Sequence, residues 1–316
     1  MSSSGIYLRL VLVTVFWASV FHIGKYAVEV VSPLFASAWR FTIAAAVLVP
    51  IITMREGWSL SALRRSGFGL LVMSAIGVFG FNVSLFYGLR MTSAVNGALI
   101  MGFTPALTAV LSALVNRESL SRQQLVGMAL GIAGVIVVVS KGSWHTLAAM
   151  SLSTGDLLVM VASLCFAVYP IIPKRFVHGM SALQTTGGSI AGGAALMAAF
   201  AMMTAPDFLT PPPLPIAAGI AFMGLFGSAI AYLWWNQAVR HMGATSVAVF
   251  FNLVPLFTAL IGVLLGQAIS IAQLCGAALV ITGVLYSSGK LTFFSATPVM
   301  GRVRRDTKQP AATQVK

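Results

Sequence analysis

Acidic side chains are almost missing from this sequence. The 316-residue chain has six Asp and Glu against nineteen Lys and Arg, and charged residues make up 8% in all, where a soluble domain has about 25%. A soluble globule of this size needs a charged surface, so the scarcity excludes an ordinary cytosolic enzyme and a disordered protein. The net charge of +13 would suit nucleic acid, but the basic residues do not form one long stretch. They punctuate apolar runs and gather at the C-terminus, so no nucleic-acid partner is expected. Cysteine is scarce too. Cys165 and Cys275 both lie in apolar runs and read as small packing residues rather than a disulfide or metal site. No CxxC, HExxH or clustered His, Asp and Glu set is present, so no metal and no cofactor is implied. An intramembrane enzyme would need such a set or a nucleophile at membrane depth, and the chain does not read as an enzyme.

What the sequence has in abundance is apolar residues: 58% of the chain is hydrophobic, with a mean hydropathy of +0.94. The expected solvent is the lipid bilayer. Breaking the chain at charges, Pro and Gly gives ten apolar runs, at 7–29, 33–54, 67–89, 92–116, 123–140, 153–173, 181–205, 214–239, 244–267 and 270–291. Each has about the length that spans hydrocarbon as a helix. The expected fold class is therefore an all-α membrane protein with ten transmembrane helices. Val11 to Phe21 does not read as a cleaved signal core, because the run is too long and no cleavage site precedes a soluble region. Ten spans put both termini on one side. With the termini in the cytoplasm, fifteen basic residues fall on the inner side and three, Lys25, Arg90 and Lys141, on the outer, the asymmetry expected of a bacterial inner membrane. Residues 292–316 read as a basic, disordered cytoplasmic tail.

The second half of the chain echoes the first. At a shift of 150, Gly69 meets Gly219, Met73 meets Met223, Gly77 meets Gly227, Arg90 meets Arg240 and Pro105 meets Pro255. At 149, Trp17 meets Phe166, Lys25 meets Lys174, Gly127 meets Gly276 and Gly134 meets Gly283. Shared apolar composition does not produce Arg, Pro and Lys matches in one register. The repeats are placed at 1–142 and 151–291, five helices each. Five is odd, so the second repeat is expected upside down relative to the first, which is a route to alternating access.

The segment Leu85-Phe86-Tyr87-Gly88-Leu89-Arg90-Met91-Thr92-Ser93-Ala94, continued by Thr104-Pro105, Asn116-Arg117-Glu118 and Gly127 to Gly134, resembles the EamA-type transporters of the drug/metabolite transporter superfamily. Ala231-Tyr232-Leu233-Trp234-Trp235-Asn236, Val254-Pro255, Leu265-Gly266, Phe16-Trp17, Arg40-Phe41 and Gly155-Asp156 fit the same pattern. Two positions depart from it: Gln267 where the family usually has Glu, and Ala18 where it usually has Gly. The resemblance implies a secondary transporter of a small-molecule substrate, with helices one, three, four, six, eight and nine around a central cavity.

Polar and aromatic residues at membrane depth are the candidates for that cavity: Trp17, His22, Asn82, Asn96, Tyr169, Tyr232, Trp234, Asn236 and Asn252. Buried amides are costly in lipid unless paired, so they are expected to face the bundle interior. Bonding between helices without substrate contact is the competing reading of each. Trp234 and Trp235 are adjacent, so at most one faces the cavity. Pro105 and Pro255, expected near the middle of helices four and nine, would free the carbonyls of Met101 and Phe251 and act as hinges. His22 is the one group at depth that in its unperturbed form titrates near neutral pH, although hydrogen-bonded structural histidines are the commoner case. Arg40, inside helix two, is expected to pair with a helix-end carbonyl or Glu29, with substrate binding as the competing reading. No carboxylate is placed at the membrane centre, which favours facilitated export or exchange over coupling through an intramembrane acid. A cavity of aromatics and amides suits amino acids or related amphipathic compounds. An anionic metabolite such as a nucleotide-sugar would need more cavity cations. Gly127-xxx-Gly131 and Gly188-xxx-Gly192 read as internal packing, which leaves the oligomeric state open.

Overall fold

A computed structural model describes residues 3–287, apart from 93–96, 98–99, 118, 141, 149–152, 205–207 and 267–269. The described residues are helical, with no strand among them. Ten main helices follow one another: α1 (Ser3–Val30), α2 (Pro33–Arg55), α3 (Leu60–Met91), α4 (Thr104–Asn116), α5 (Arg122–Ser140), α6 (Thr154–Val168), α7 (Ala182–Thr204), α8 (Leu214–Met242), α9 (Ala244–Leu264) and α10 (Ile271–Ser287). Of these, α1, α2, α3, α7, α8 and α9 are long and apolar enough to cross a membrane. The other four are apolar but shorter; the 13 residues of α4 reach only about 20 Å at the α-helical rise.

Each helix lies on one of the expected runs, and the differences in extent have local causes. Helix α3 starts earlier than position 67 because Ser59 caps it, its hydroxyl accepting from the Ala62 amide. The sixth run breaks after Val168, where Pro170 and Pro173 interrupt the ladder and a short helix, Ile172–Phe176, follows. At the start of α6, Ser153 and Asp156 form a reciprocal capping box. Asp156 also accepts a hydrogen bond from Thr92, which ties α3 to α6.

The prolines sit differently from expectation. Pro105 lies in the first turn of α4, after a turn at 102–103, and Pro255 follows a 3-10 segment, Val249–Asn252, within α9. Neither is the middle of a continuous helix. A first-turn proline needs no amide partner, so at Pro105 the interruption lies upstream of the ring.

The surface is apolar and the interior holds the polar groups. Met203, Leu264 and Ile271 are largely exposed, while Ser37, Asn82, Thr186 and Ser228 are buried. That inversion is the arrangement a lipid solvent selects.

The helices that the 149-residue shift relates meet each other reciprocally. A methyl group at Gly127 would lie 2.7 Å from the Gly283 carbonyl oxygen, and one at Gly134 would lie 2.7 Å from that of Gly276. Gly276 and Gly283 are the counterparts of Gly127 and Gly134, so the same contact is made twice with the roles exchanged. As α5 runs from 127 to 134, the facing residues of α10 run from 283 to 276, and the two helices are antiparallel. Their backbones approach closely at these glycines. The echo extends to helix type: a π-helical segment, Met73–Gly80 in α3, recurs as Met223–Ile230 in α8, at a shift of 150.

The α5–α10 crossing has no room for a side chain. Gly134→Leu is expected to lower stability by about 1–3 kcal/mol through overpacking, read as a lower unfolding temperature of the detergent-purified protein. Gly67→Leu, at a position with open space around it, is expected to change it little.

Candidate functional site

The site begins with a backbone carbonyl that the helix does not use. In a π-helical turn the ladder slips by one residue. The Ala231 amide bonds back to Phe226 and Ser228 and passes over Gly227, four residues before it. The Gly227 carbonyl instead accepts from the Trp17 indole at 3.0 Å and from the Arg40 guanidinium at 3.0 Å. Glycine is required there: a methyl group at Gly227 would fall 2.5 Å from Val20.

Arg40 is 2% exposed. Its Nε donates to Ser228 Oγ at 2.6 Å and its second terminal nitrogen to Asn82 Oδ1 at 3.3 Å. Asn82 is fixed in turn by donating to the Val78 carbonyl, in the other π-helical segment. The guanidinium also lies over the rings of Phe41 and Phe86, at 5.0 and 6.0 Å. Every partner is neutral. The Glu29 expected beside Arg40 lies by Lys25 instead, at 3.9 Å, and the carbonyl that Arg40 meets belongs to a π-helical turn rather than a helix end.

Around this centre the aromatics close in. Trp17 packs against Trp235 at 4.9 Å, Phe166 at 5.3 Å, Phe251 at 5.5 Å and Tyr232 at 6.0 Å. Tyr169 stacks edge-on against Tyr232 at 5.3 Å. The Tyr169 hydroxyl lies 3.0 Å from Ser189 Oγ and accepts from Asn236 Nδ2 at 2.9 Å, and the same Nδ2 donates to Thr186 Oγ1 at 2.8 Å.

The structure thus brings Trp17, Asn82, Tyr169, Tyr232 and Asn236 together in one buried cluster. It separates the rest. Trp235, not Trp234, turns inward, because Tyr232, Trp235 and Asn236 share the inner face of α8 at helical spacing. Trp234 lies outside the cluster, against Phe16 at 6.2 Å and under the Arg9 guanidinium at 5.5 Å. His22 lies 2.9 Å from the Thr258 carbonyl, to which its Nε2 must donate, and so acts as a bond between α1 and α9. Asn252 packs on Gly131 of α5. Asn96 lies outside the described residues. Sequence reasoning named Trp234 in preference to Trp235 and missed Phe166, Phe251, Thr186 and Ser189. The pairing of Trp17 with Phe166 across the repeat was the one available signal, since both turned out to face the same centre.

Two cavities open at one end of the bundle. One, of about 360 Å³, is lined by Pro170, Lys174, Val239 and Arg240 among others, and the second, of about 410 Å³, by Arg117, Gln124 and Thr245 among others. They share Asn116, Lys174 and Gly243. Pro170 follows Tyr169 in sequence and Arg240 is one helical turn from Asn236, so this mouth adjoins the cluster. At the opposite end Lys25 donates to the Leu89 carbonyl and Trp39 to that of Phe208.

Fold and site together are those of a multi-pass membrane protein, with apolar side chains on its outer surface and a polar and aromatic cluster buried within. The EamA-like transporter family matches residues 4–140 and again 153–289, and the chain belongs to that family. It is 39% identical over 290 residues to the uncharacterized transporter YyaM of Bacillus subtilis (strain 168), covering 92% of this chain and 95% of that protein. It is 27% identical over 261 residues to an S-adenosylmethionine/S-adenosylhomocysteine transporter of Chlamydia trachomatis serovar L2, covering 80% and 79%. A solved crystal structure superposes with a TM-score of 0.75 at 21% identity, covering 92% of this chain and 98% of that one; that likeness concerns the fold.

Ser228→Ala removes a neutral partner from a buried cation, which costs about 1.5–3 kcal/mol. The unfolding temperature of the purified variant is expected to fall accordingly. Ser37→Ala removes only a bond back to the Pro33 carbonyl within α2 and is expected to leave it nearly unchanged.

Proposed function

We propose that the ten helices are ten membrane crossings, arranged as two inverted five-helix repeats at 1–142 and 151–291. The protein exports amino acids or related amphipathic compounds across the bacterial inner membrane by alternating access. The observation that carries the reading is the buried cluster of Trp17, Arg40, Tyr169, Tyr232, Trp235 and Asn236, with two cavities lined by Arg117, Lys174 and Arg240 at the end of α8 that follows Asn236. A polar, aromatic centre of this kind suits a zwitterion with an apolar side chain. The relative that carries S-adenosylmethionine, itself an amino acid, supports the same class. Basic residues at the cavity mouth favour the cytoplasmic face by the positive-inside rule, so the cavity is a loading vestibule and both termini are cytoplasmic.

A transporter of an anionic metabolite such as a nucleotide-sugar is the second reading, and the basic mouth is the observation that favours it. A nucleotide's phosphates would have to be met deeper in, where Arg40 is the one buried arginine among the described residues. The interior therefore favours a solute with one anionic group.

A substrate-panel efflux assay in cells overexpressing the protein tests the reading. Export of amino acids or S-adenosylmethionine is expected, and export of nucleotide-sugars alone would overturn it. Pro105 and Pro255 are proposed as hinges because each stands next to an interruption of its helix. Pro105→Ala with Pro255→Ala is expected to depress efflux by tenfold or more at equal membrane abundance. Undiminished efflux would remove the hinge role. His22→Gln is expected to keep the pH profile of transport in inverted vesicles, since His22 serves as an interhelical bond.

A further inference from the structure

The hydrogen bonds around Asn236 can be assigned proton by proton. Ser189 Oγ donates to the Thr186 carbonyl, so its only hydrogen is committed and the Tyr169 hydroxyl must be the donor between the two. Tyr169 then accepts from Asn236 Nδ2. Thr186 Oγ1 donates to the Ala182 carbonyl, so it too can only accept from Nδ2. Both amide hydrogens are spent and the orientation of the amide is fixed. Asn236 Oδ1, in a residue 3% exposed, is left as an acceptor with no donor.

The rest of the cluster has the opposite deficit. Arg40 has five N–H groups and three hydrogen bonds, all to neutral acceptors. The Trp235 indole nitrogen is buried without an acceptor, and the Tyr232 hydroxyl lies against Arg40 and Asn82. No carboxylate accompanies the guanidinium among the described residues: Glu29, Glu56 and Asp156 all lie at helix ends, engaged with Lys25, Ser181 and Ser153. Native cores rarely leave several polar atoms unpaired in one place, and a buried cation without an anion is costlier still. Tyr232, at the guanidinium, and Asn236, at the lone acceptor, are about one turn apart on α8, about 6 Å along the axis. The cluster therefore presents unused donors at Arg40 and Trp235 and, about a helical turn away, a lone acceptor at Asn236.

We propose that these atoms bind the head of an α-amino acid. Arg40 takes its carboxylate, joined by the Trp235 indole as a donor, and Asn236 Oδ1 takes its ammonium. The aromatic walls of Trp17, Phe166 and Phe251 face its side chain. This rests on the transporter reading above and adds the division of labour between two residues.

The test measures binding to the detergent-purified full chain by calorimetry. The probes are leucine, phenylalanine and S-adenosylmethionine, with phenylalaninamide and leucinamide, which lack the carboxylate, and N-acetylphenylalanine and N-acetylleucine, which lack the ammonium. Wild-type protein is expected to bind an amino acid on the order of tenfold or more tightly than either analogue. Arg40→Gln is expected to erase the preference over the amide and keep that over the N-acetyl compound; Asn236→Ala is expected to do the reverse. The Asn236 variant and the wild-type contrasts decide the matter if Arg40→Gln does not fold. Amino acids bound no better than their amides and N-acetyl derivatives would overturn this inference and leave the amino-acid reading standing. Variants that weaken every probe alike would also overturn it. Binding of none of the three amino acids would overturn both.

Discussion

A single backbone carbonyl organises the centre of this protein. Gly227 belongs to a helix that slips its hydrogen-bond register, and the oxygen so released holds the indole of Trp17 and the guanidinium of Arg40. In lipid an unsatisfied carbonyl costs several kcal/mol, and a cation at membrane depth costs more unless dipoles or water surround it. Each defect offsets the other. The slip in α8 joins α1 and α2 to the second half of the chain, and the aromatic cluster packs around that joint.

The scaffold is symmetric and its chemistry is not. Gly77 and Gly227 occupy equivalent π-helical segments, each with a residue of the other repeat against it: Tyr169 on Gly77 and its counterpart Val20 on Gly227. Equivalent places on α2 and α7 hold Arg40 and Ser189. Gly224 abuts the carbonyl of Arg40, while Ser74, 150 residues earlier, donates to that of Ser189. One half thus supplies a charge and an indole N–H where the other supplies a hydroxyl and a plain ring, Phe166. The family matches each half in turn, while the unlike residues give the buried cluster two chemically different ends, one a guanidinium and the other an amide.

Much of the architecture was legible because it rests on composition and periodicity. Ten apolar runs, their punctuation by charge and the shifts of 149 and 150 all leave marks in the sequence. The site was legible only in part. Asn82, Tyr169, Tyr232 and Asn236 stood out because polar atoms in an apolar run need a reason. Arg40 was placed with a helix-end carbonyl or Glu29, since ordinary helices free carbonyls only at their ends. A π-helical slip has no residue signature beyond well-spaced glycines, so its interior carbonyl could not be anticipated. That Trp235 rather than Trp234 lies in the buried cluster was hidden for a related reason: helical phase is ambiguous at adjacent positions, and α8 changes phase at its slip. Pro105 was put in mid-helix because an apolar run shows length without showing where helix begins.

The proposed function has a zwitterionic solute carried through this core by alternating access. Counterflow measures this directly. Proteoliposomes of the purified chain are loaded with an unlabelled amino acid and diluted into a trace of the labelled compound. The account predicts a transient accumulation of label above equilibrium, driven by the amino acid and not by its amide. Equilibration without overshoot, or an overshoot that the amide drives equally well, would contradict it.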